Sequence, residues 1–214
     1  MSLPVILGIN LAILVALGLI ARFVQSDPTT KGGFNFNYTT SDLVILAVIG
    51  ALAGVINTGM GNLWYAANTI SPIYGAAMQG TFMWAYLLAY FLVRKSGSML
   101  FIGLVEAAME VLLGNQAGVQ TLGWGLSQGL GAEVVMLFCN YGKFGWLAFG
   151  LAGAAASQFG TLWSFVLYSW SSLQDYLIAA PINLVSGFIF SGLLGWWLGK
   201  TVERTGLLRT TRRE

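Results

Sequence analysis

Glu106, Glu110 and Glu133 fall inside long apolar stretches of this chain. An ionisable side chain at such depth costs a few kcal/mol on insertion scales and marks a cavity or a partner. Glu106 and Glu110 are four residues apart, hence on one face of one helix. Apart from Arg22, at the very end of the first apolar stretch, no lysine or arginine lies in these stretches to neutralise them. A cationic or strongly donating ligand is the simplest missing counterpart; the competing reading is a neutral acid bonded to neighbouring amides and backbone.

The elements that carry these acids are membrane helices. The chain is 57% hydrophobic and 8% charged, against about 25% charged in soluble domains. A bilayer-crossing helix needs about 20 mostly apolar residues. Qualifying stretches are Leu3–Phe23, Asp42–Gly59, Ile73–Val93, Met99–Leu113, Val119–Phe138, Gly145–Leu167 and Pro181–Gly199. Met99–Leu113 is short for a span and is expected to extend beyond its apolar core. All 10 basic residues fall on one side of this arrangement: Arg22, Lys31, Arg94, Lys95, Lys143, Lys200, Arg204, Arg209, Arg212 and Arg213. The positive-inside rule makes that side cytoplasmic, with the C-terminus inside and the N-terminus outside a cell membrane. The first stretch lacks a basic start, so it reads as a membrane helix rather than a signal peptide. A hydrophilic linker follows, with turn chemistry at Asp27-Pro28 and Lys31-Gly32-Gly33, and Thr40, Ser41 or Asp42 can cap the next helix.

At about 1.5 Å per residue, Glu110 lies roughly 5 Å below the outer face, Trp124 about 8 Å and Gln79 about 9 Å. Glu106 and Gln128 come at roughly 10–14 Å, Trp84 near ~16 Å, and Glu133 at about 21 Å, nearer the cytoplasmic half. The outer connections add Trp64, Tyr65 and Asn68, then Asn115 and Gln116, then Tyr168, Trp170, Gln174, Asp175 and Tyr176. Rings over an acidic floor suit a flat cationic molecule by stacking and cation–π attraction. For Trp170, Tyr176, Trp196 and Trp197 the interfacial aromatic belt is the preferred reading.

Small residues recur at spacing four: Ala47 with Ala51, Gly50 with Gly54, and Ala148, Ala152 and Ala156. Such faces let helices approach closely in lipid, and from spacing alone internal packing is favoured. One cysteine, Cys139, and no histidine leave no disulfide and no metal-ligand pattern. No phosphate-binding Gly-Lys-Ser/Thr loop and no Gly-x-Ser-x-Gly appears. The chain therefore reads as a non-enzyme, and active transport would need ATPase subunits from elsewhere.

The block from Glu106 through Glu110, Gly114, Asn115, Gln116 and Gly118, followed by Gly125, Gln128, Gly129 and Glu133, resembles the YkoE family. These are substrate-binding S components of energy-coupling factor (ECF) transporters, associated with thiamine or its hydroxymethylpyrimidine precursor. The resemblance covers roughly Thr40 to Leu208, including Ser71-Pro72-Ile73-Tyr74-Gly75. It implies an all-α bundle of six helices over residues 40–214, with a basic cytoplasmic tail; the additional N-terminal helix and linker over 1–39 depart from the family pattern. It implies thiamine or a related pyrimidine bound near the outer face, at a site drawn from Trp64, Tyr65, Gln79, Trp84, Glu106, Glu110, Asn115, Gln116, Trp124 and Gln128. Ala47-x-x-x-Ala51 is similar to the signature by which S components dock on a transmembrane coupling subunit, with Gly50 and Gly54 on the same helix. Two ATPase subunits would supply energy, and no nucleic acid, cofactor or metal is implied. The residues alone leave two other readings open: a stand-alone small-cation carrier or channel, and a structural subunit of a larger membrane complex.

Overall fold

The computed structural model describes residues 3–24, 32–142, 145–168 and 173–206. Asp27, Pro28, Lys31, Lys143, Trp170, Arg209, Arg212 and Arg213 lie outside them. Among the described residues every regular element is helical: α1 (Leu3–Val24), α2 (Thr40–Ile70), α3 (Pro72–Met78), α4 (Trp84–Val93), α5 (Ser98–Leu112), α6 (Thr121–Phe138), α7 (Trp146–Tyr168), α8 (Leu173–Ser186) and α9 (Leu194–Arg204). A 3-10 segment, Gln79–Phe82, joins α3 to α4, and a π-helical segment, Gly187–Leu193, joins α8 to α9. With these joints the described residues make seven passages through the bundle. Four of them, Pro4–Phe23, Thr40–Ile70, Pro72–Val93 and Gln174–Arg204, are long and apolar enough to cross a membrane unaided. The other three, α5, α6 and α7, carry the buried glutamates Glu106, Glu110 and Glu133 and the buried Gln128 and Gln158.

Several boundaries differ from the sequence expectation. The passage expected to stop at Gly59 continues to Ile70 as one helix of 31 residues, so Trp64, Tyr65 and Asn68 stand on its last turns rather than in a loop. Nothing between Gly59 and Ile70 breaks a helix, and the chain turns only at Ser71-Pro72, where Ser71 caps the next helix by accepting from the Ile73 amide. At the other end Thr39, not Thr40, Ser41 or Asp42, is the cap; its hydroxyl and the Asp42 carboxylate each bond the other's backbone amide. This reciprocal box satisfies two otherwise orphaned donors. The short passage does not lengthen: α5 has 15 residues, closed off by left-handed turns at Gly97 and Gly114. Likewise Gln174, Asp175 and Tyr176 are helical, because α8 begins at Leu173.

Helix α7 is the inner element, touching α1, α6, α8 and the π segment. Ala148, Ala152 and Ala156 are fully buried in it, so this small-residue face serves internal packing. α1 is bonded into the bundle through Asn10, whose amide donates to the Tyr176 hydroxyl; Gln158 of α7 donates to Asn10 Oδ1 at 3.1 Å and to the Tyr176 hydroxyl at 2.6 Å. Tyr176 is therefore a buried bridge rather than part of the aromatic belt. Trp196 also leaves the belt, packing on Phe91 and Phe149 with ring centroids 5.2 and 5.0 Å away. Trp197 remains 61% exposed.

Arg22, Arg94, Lys95, Lys200 and Arg204 gather at one end of the bundle, called here the basic end. There the connection from α1 to α2 is tied to the α4–α5 turn by Asn35 and Tyr38 bonding Ser96, and to the end of α6 by Gly33 bonding Asn140.

Candidate functional site

Two local features position the polar side chains at the opposite end. Gly103 of α5 and Gly125 of α6 cross with no room for a side chain: a Cβ on Gly103 would lie 2.5 Å from the Gly125 carbonyl oxygen. The close crossing brings the following turns of both helices, with Glu106 and Gln128, against one space. The second feature is the 3-10 segment. Gly80 sits so near α8 that a Cβ would meet the Ser186 carbonyl oxygen at 2.1 Å, and its backbone is held by the Ser186 and Ser191 hydroxyls at 3.0 and 2.6 Å. This pinning directs the neighbouring Gln79 inward.

The resulting cavity is about 50 Å³ and is lined by Gly61, Trp64 and Tyr65 of α2, by Gln79 and Phe82, by Tyr86 of α4, by Glu106, Ala107 and Glu110 of α5, and by Asn115, Thr121, Trp124, Gly125 and Gln128. Among the described residues no basic side chain lines it. Glu106 is 2% exposed and forms part of the floor. Its Oε1 accepts from Asn57 Nδ2 at 2.7 Å and from the Tyr86 hydroxyl at 3.3 Å. The same hydroxyl lies 3.1 Å from Gln128 Oε1. Glu106 Oε2 and Asn57 Oδ1 are buried with no hydrogen-bond partner. One turn nearer the mouth, Glu110 Oε2 accepts from Asn115 Nδ2 at 2.6 Å. Trp64 and Tyr65 meet edge to face at 5.2 Å, with the Trp64 indole donating to the Gly75 carbonyl. The Trp124 indole donates to Ser164.

Trp64, Tyr65, Gln79, Glu106, Glu110, Asn115, Trp124 and Gln128 thus line one cavity. Trp84 and Gln116 do not line the cavity. The 3-10 turn advances about 120° per residue rather than about 100°, which rotates Trp84 away from the cavity to pack beside the apolar core. Gln116 is exposed and bonds Asn62. Sequence reasoning missed Asn57 and Tyr86. Asn57 was detectable, as an amide inside the apolar stretch Asp42–Gly59; Tyr86 sits in the run Trp84–Val93 and carried no signal.

Glu133 belongs elsewhere. It accepts from the Met99 amide at 2.9 Å and the Tyr141 hydroxyl at 2.8 Å, with the Gly97 and Leu100 amides also directed at it. It caps α5 across the helix interface and complements that helix's N-terminal dipole. The small-residue set on α2 divides: Gly50 and Gly54 pack against Val105 and Met109 of α5, while Ala47 is exposed and Ala51 half-buried.

The chain is thus a multi-pass membrane bundle enclosing an acidic, aromatic cavity. Comparison with known proteins gives this class a family. Residues 41–159 match the family described as ABC-type cobalt transport system, permease component, and the chain belongs to that family. It is 28% identical over 177 residues, 80% of this chain and 88% of the relative, to the putative HMP/thiamine permease protein YkoE of Bacillus subtilis. Its fold is similar to the crystal structure of an S-component of an ECF transporter, with TM-score 0.75 and 29% identity over 81% of this chain and 90% of that one. The resemblance read from the Glu106–Glu133 block is borne out by both.

Proposed function

We propose that this protein is the substrate-binding S component of an ECF-type importer, taking thiamine or a related pyrimidine at the end of the bundle opposite its basic residues. One observation carries the reading: two buried glutamates share a cavity with Trp64, Tyr65 and Trp124, and among the described residues no basic side chain lines it. A thiazolium cation attached to an aminopyrimidine supplies the positive charge, the hydrogen-bond donors and the flat rings that this lining accepts. The gathering of basic residues at the other end supports a cavity that faces the external side, by the positive-inside rule, as an importer requires. A cavity of about 50 Å³ holds a few waters, so binding would widen it, most simply by movement of the turn after α5 that carries Asn115.

The family description names cobalt, but the cavity offers carboxylates and amides with neither imidazole nor thiolate, a set less suited to a cobalt ion than to an organic cation. Energy would come from two ATPase subunits through a transmembrane coupling subunit, for which the outward Ala47 and Ala51 face of α2 is the proposed dock. The test is thermal unfolding of detergent-purified protein with thiamine, with hydroxymethylpyrimidine and with Co²⁺, beside mass spectrometry of small molecules released from the protein. Stabilisation by thiamine and not by Co²⁺ supports the reading, because a ligand that binds only the folded state raises its stability. Stabilisation by Co²⁺ alone would overturn it.

A further inference from the structure

We infer that residues 33–39, in the connection from α1 to α2, form a binding surface for anionic phospholipid headgroups. Phe34 and Phe36 are its apolar anchors, and Arg94 and Lys95 are the charges that meet the phosphate. The surface lies at the basic end, opposite the cavity, so it does not depend on the thiamine-class reading.

The segment has no helical bonding of its own, yet the bundle holds it firmly. The Gly33 amide donates to the Asn140 carbonyl at 2.8 Å, just beyond the end of α6. The Asn35 amide donates to the Ser96 hydroxyl at 3.0 Å, and the Ser96 amide returns a bond to the Asn35 carbonyl at 2.9 Å. The Tyr38 hydroxyl donates to the Ser96 carbonyl at 2.8 Å. Side chains two apart on an extended segment share one side. Phe34 and Phe36 accordingly stack, with ring centroids 6.0 Å apart and planes 13° from parallel, and Phe34 leans on the Tyr141 ring. Both rings still remain 61% and 63% exposed. Bonds that fix two phenylalanines outward prepare an apolar contact rather than a simple link between helices, since ordering is already complete before the contact is made.

Depth and charge name the occupant. The residues that hold the segment, Ser96 and Asn140, lie just outside α5 and α6. On the adjoining turns of those helices Phe101 and Leu137 are exposed, as lipid-facing side chains are. The segment therefore runs where hydrocarbon gives way to headgroups, on the side that the positive-inside rule assigns to the cytoplasm. A phenylalanine ring has no polar edge for water, so at this level it enters the acyl boundary. Arg94 is exposed, and Lys95 Nζ stands 3.5 Å from Asn35 Oδ1, over the segment. Among the described residues the carboxylates of this end are engaged: Asp42 holds the Thr39 amide, Glu203 pairs with Lys200 at 2.8 Å, and Glu133 is buried. Apolar rings beside uncompensated positive charge complement an anionic headgroup and its acyl chains.

The test is native mass spectrometry of the detergent-purified full chain, titrated with phosphatidylglycerol or with phosphatidylcholine of the same acyl chains. One basic group near an anionic headgroup is worth about fivefold in affinity, so two should give the unaltered protein a preference for phosphatidylglycerol of about 10-fold or more. Lys95→Ala should remove about fivefold of that preference. Arg204→Ala, on α9 at the same end, should leave the preference within about twofold. Phe34→Ser combined with Phe36→Ser should weaken both lipids together, by about fivefold or more. If that double variant fails to fold, the preference of the unaltered protein and its loss in Lys95→Ala decide the matter. Equal affinity for the two lipids overturns the inference. So does an equal loss in Arg204→Ala and Lys95→Ala, which marks a diffuse effect of net charge. A ring variant that keeps both lipid affinities but no longer co-purifies with co-expressed coupling and ATPase subunits assigns the rings to a protein partner, and overturns the inference as well.

Discussion

Replacing Glu106 by Gln should separate folding from binding, because the residue is poorly satisfied without ligand. In the wild-type cavity Glu106 Oε2 and Asn57 Oδ1 both lack donors. A glutamine there retains an oxygen for the Asn57 amide and gains an NH₂ that can donate to Asn57 Oδ1 or Gln128 Oε1. Relieving one unmet buried acceptor is worth about 1–3 kcal/mol. In a chain of this length about 1 kcal/mol corresponds to roughly 2–4 °C in Tm, so the ligand-free variant should melt no lower than wild type and up to several degrees higher. Binding should move the other way. The variant loses a charge-assisted bond worth about 1.5–3 kcal/mol and sets an NH₂ against the donor edge of the ligand. A total near 3 kcal/mol is on the order of a 100-fold loss in Kd. Differential scanning fluorimetry in detergent measures the first quantity, and quenching of the Trp64 and Trp124 fluorescence by added thiamine the second. A variant that melts lower yet binds thiamine as well as wild type would show that Glu106 is a packing residue, and the reasoning would fail.

Glu133→Gln should act in the opposite sense. It removes a buried charge from the N-terminus of α5, worth up to about 2 kcal/mol, so Tm should fall by several degrees while thiamine Kd stays within about twofold. Asn10→Ala should lower Tm by a comparable amount, since it leaves the Tyr176–Gln158 pair short of a partner at about 1–3 kcal/mol; Leu11→Ala, at a position 61% exposed, is the control expected to change little. Trp84→Phe and Gln116→Ala should leave thiamine affinity within about twofold, whereas Trp64→Ala should weaken it about tenfold or more; a loss on Trp84→Phe would put the cavity in the wrong place.

What the sequence made legible follows from which signals survive without tertiary information. The membrane class, the passages and the acid–aromatic layer rest on charge depletion and on depth along a helix, and these are local properties. Errors arise where local regularity breaks. Depth counting from Ile73 assumes an unbroken helix; the 3-10 segment rotates everything beyond it, which misplaced Trp84 and hid Tyr86. Tyr176 looks like an interfacial ring on depth alone, and only the docking of α1 brings Asn10 and Gln158 to its hydroxyl. Gly50 and Gly54 share their spacing with Ala47 and Ala51, and the two pairs part only because the α2–α5 contact selects one side of the helix.

Three carboxyl groups of the same chemical type stand at three depths, and their neighbours distinguish them better than depth does. Glu133, nearest the basic end, is saturated by the Tyr141 hydroxyl and the backbone amides at the start of α5. A ligand could reach it only by breaking a helix cap, so its task is complete in the folded chain. Glu110 has the Asn115 amide on one oxygen and stands beside aromatic rings. Glu106 has one oxygen bonded and the other bare, in the most acceptor-rich part of the cavity. If that bare oxygen served only stability, an uncharged or apolar residue would serve better at this position, since a half-satisfied buried polar network is less favourable than an apolar core. A cost retained at Glu106, in a chain that completes the bonds of Glu133, fits a site whose last hydrogen bond is made by its substrate.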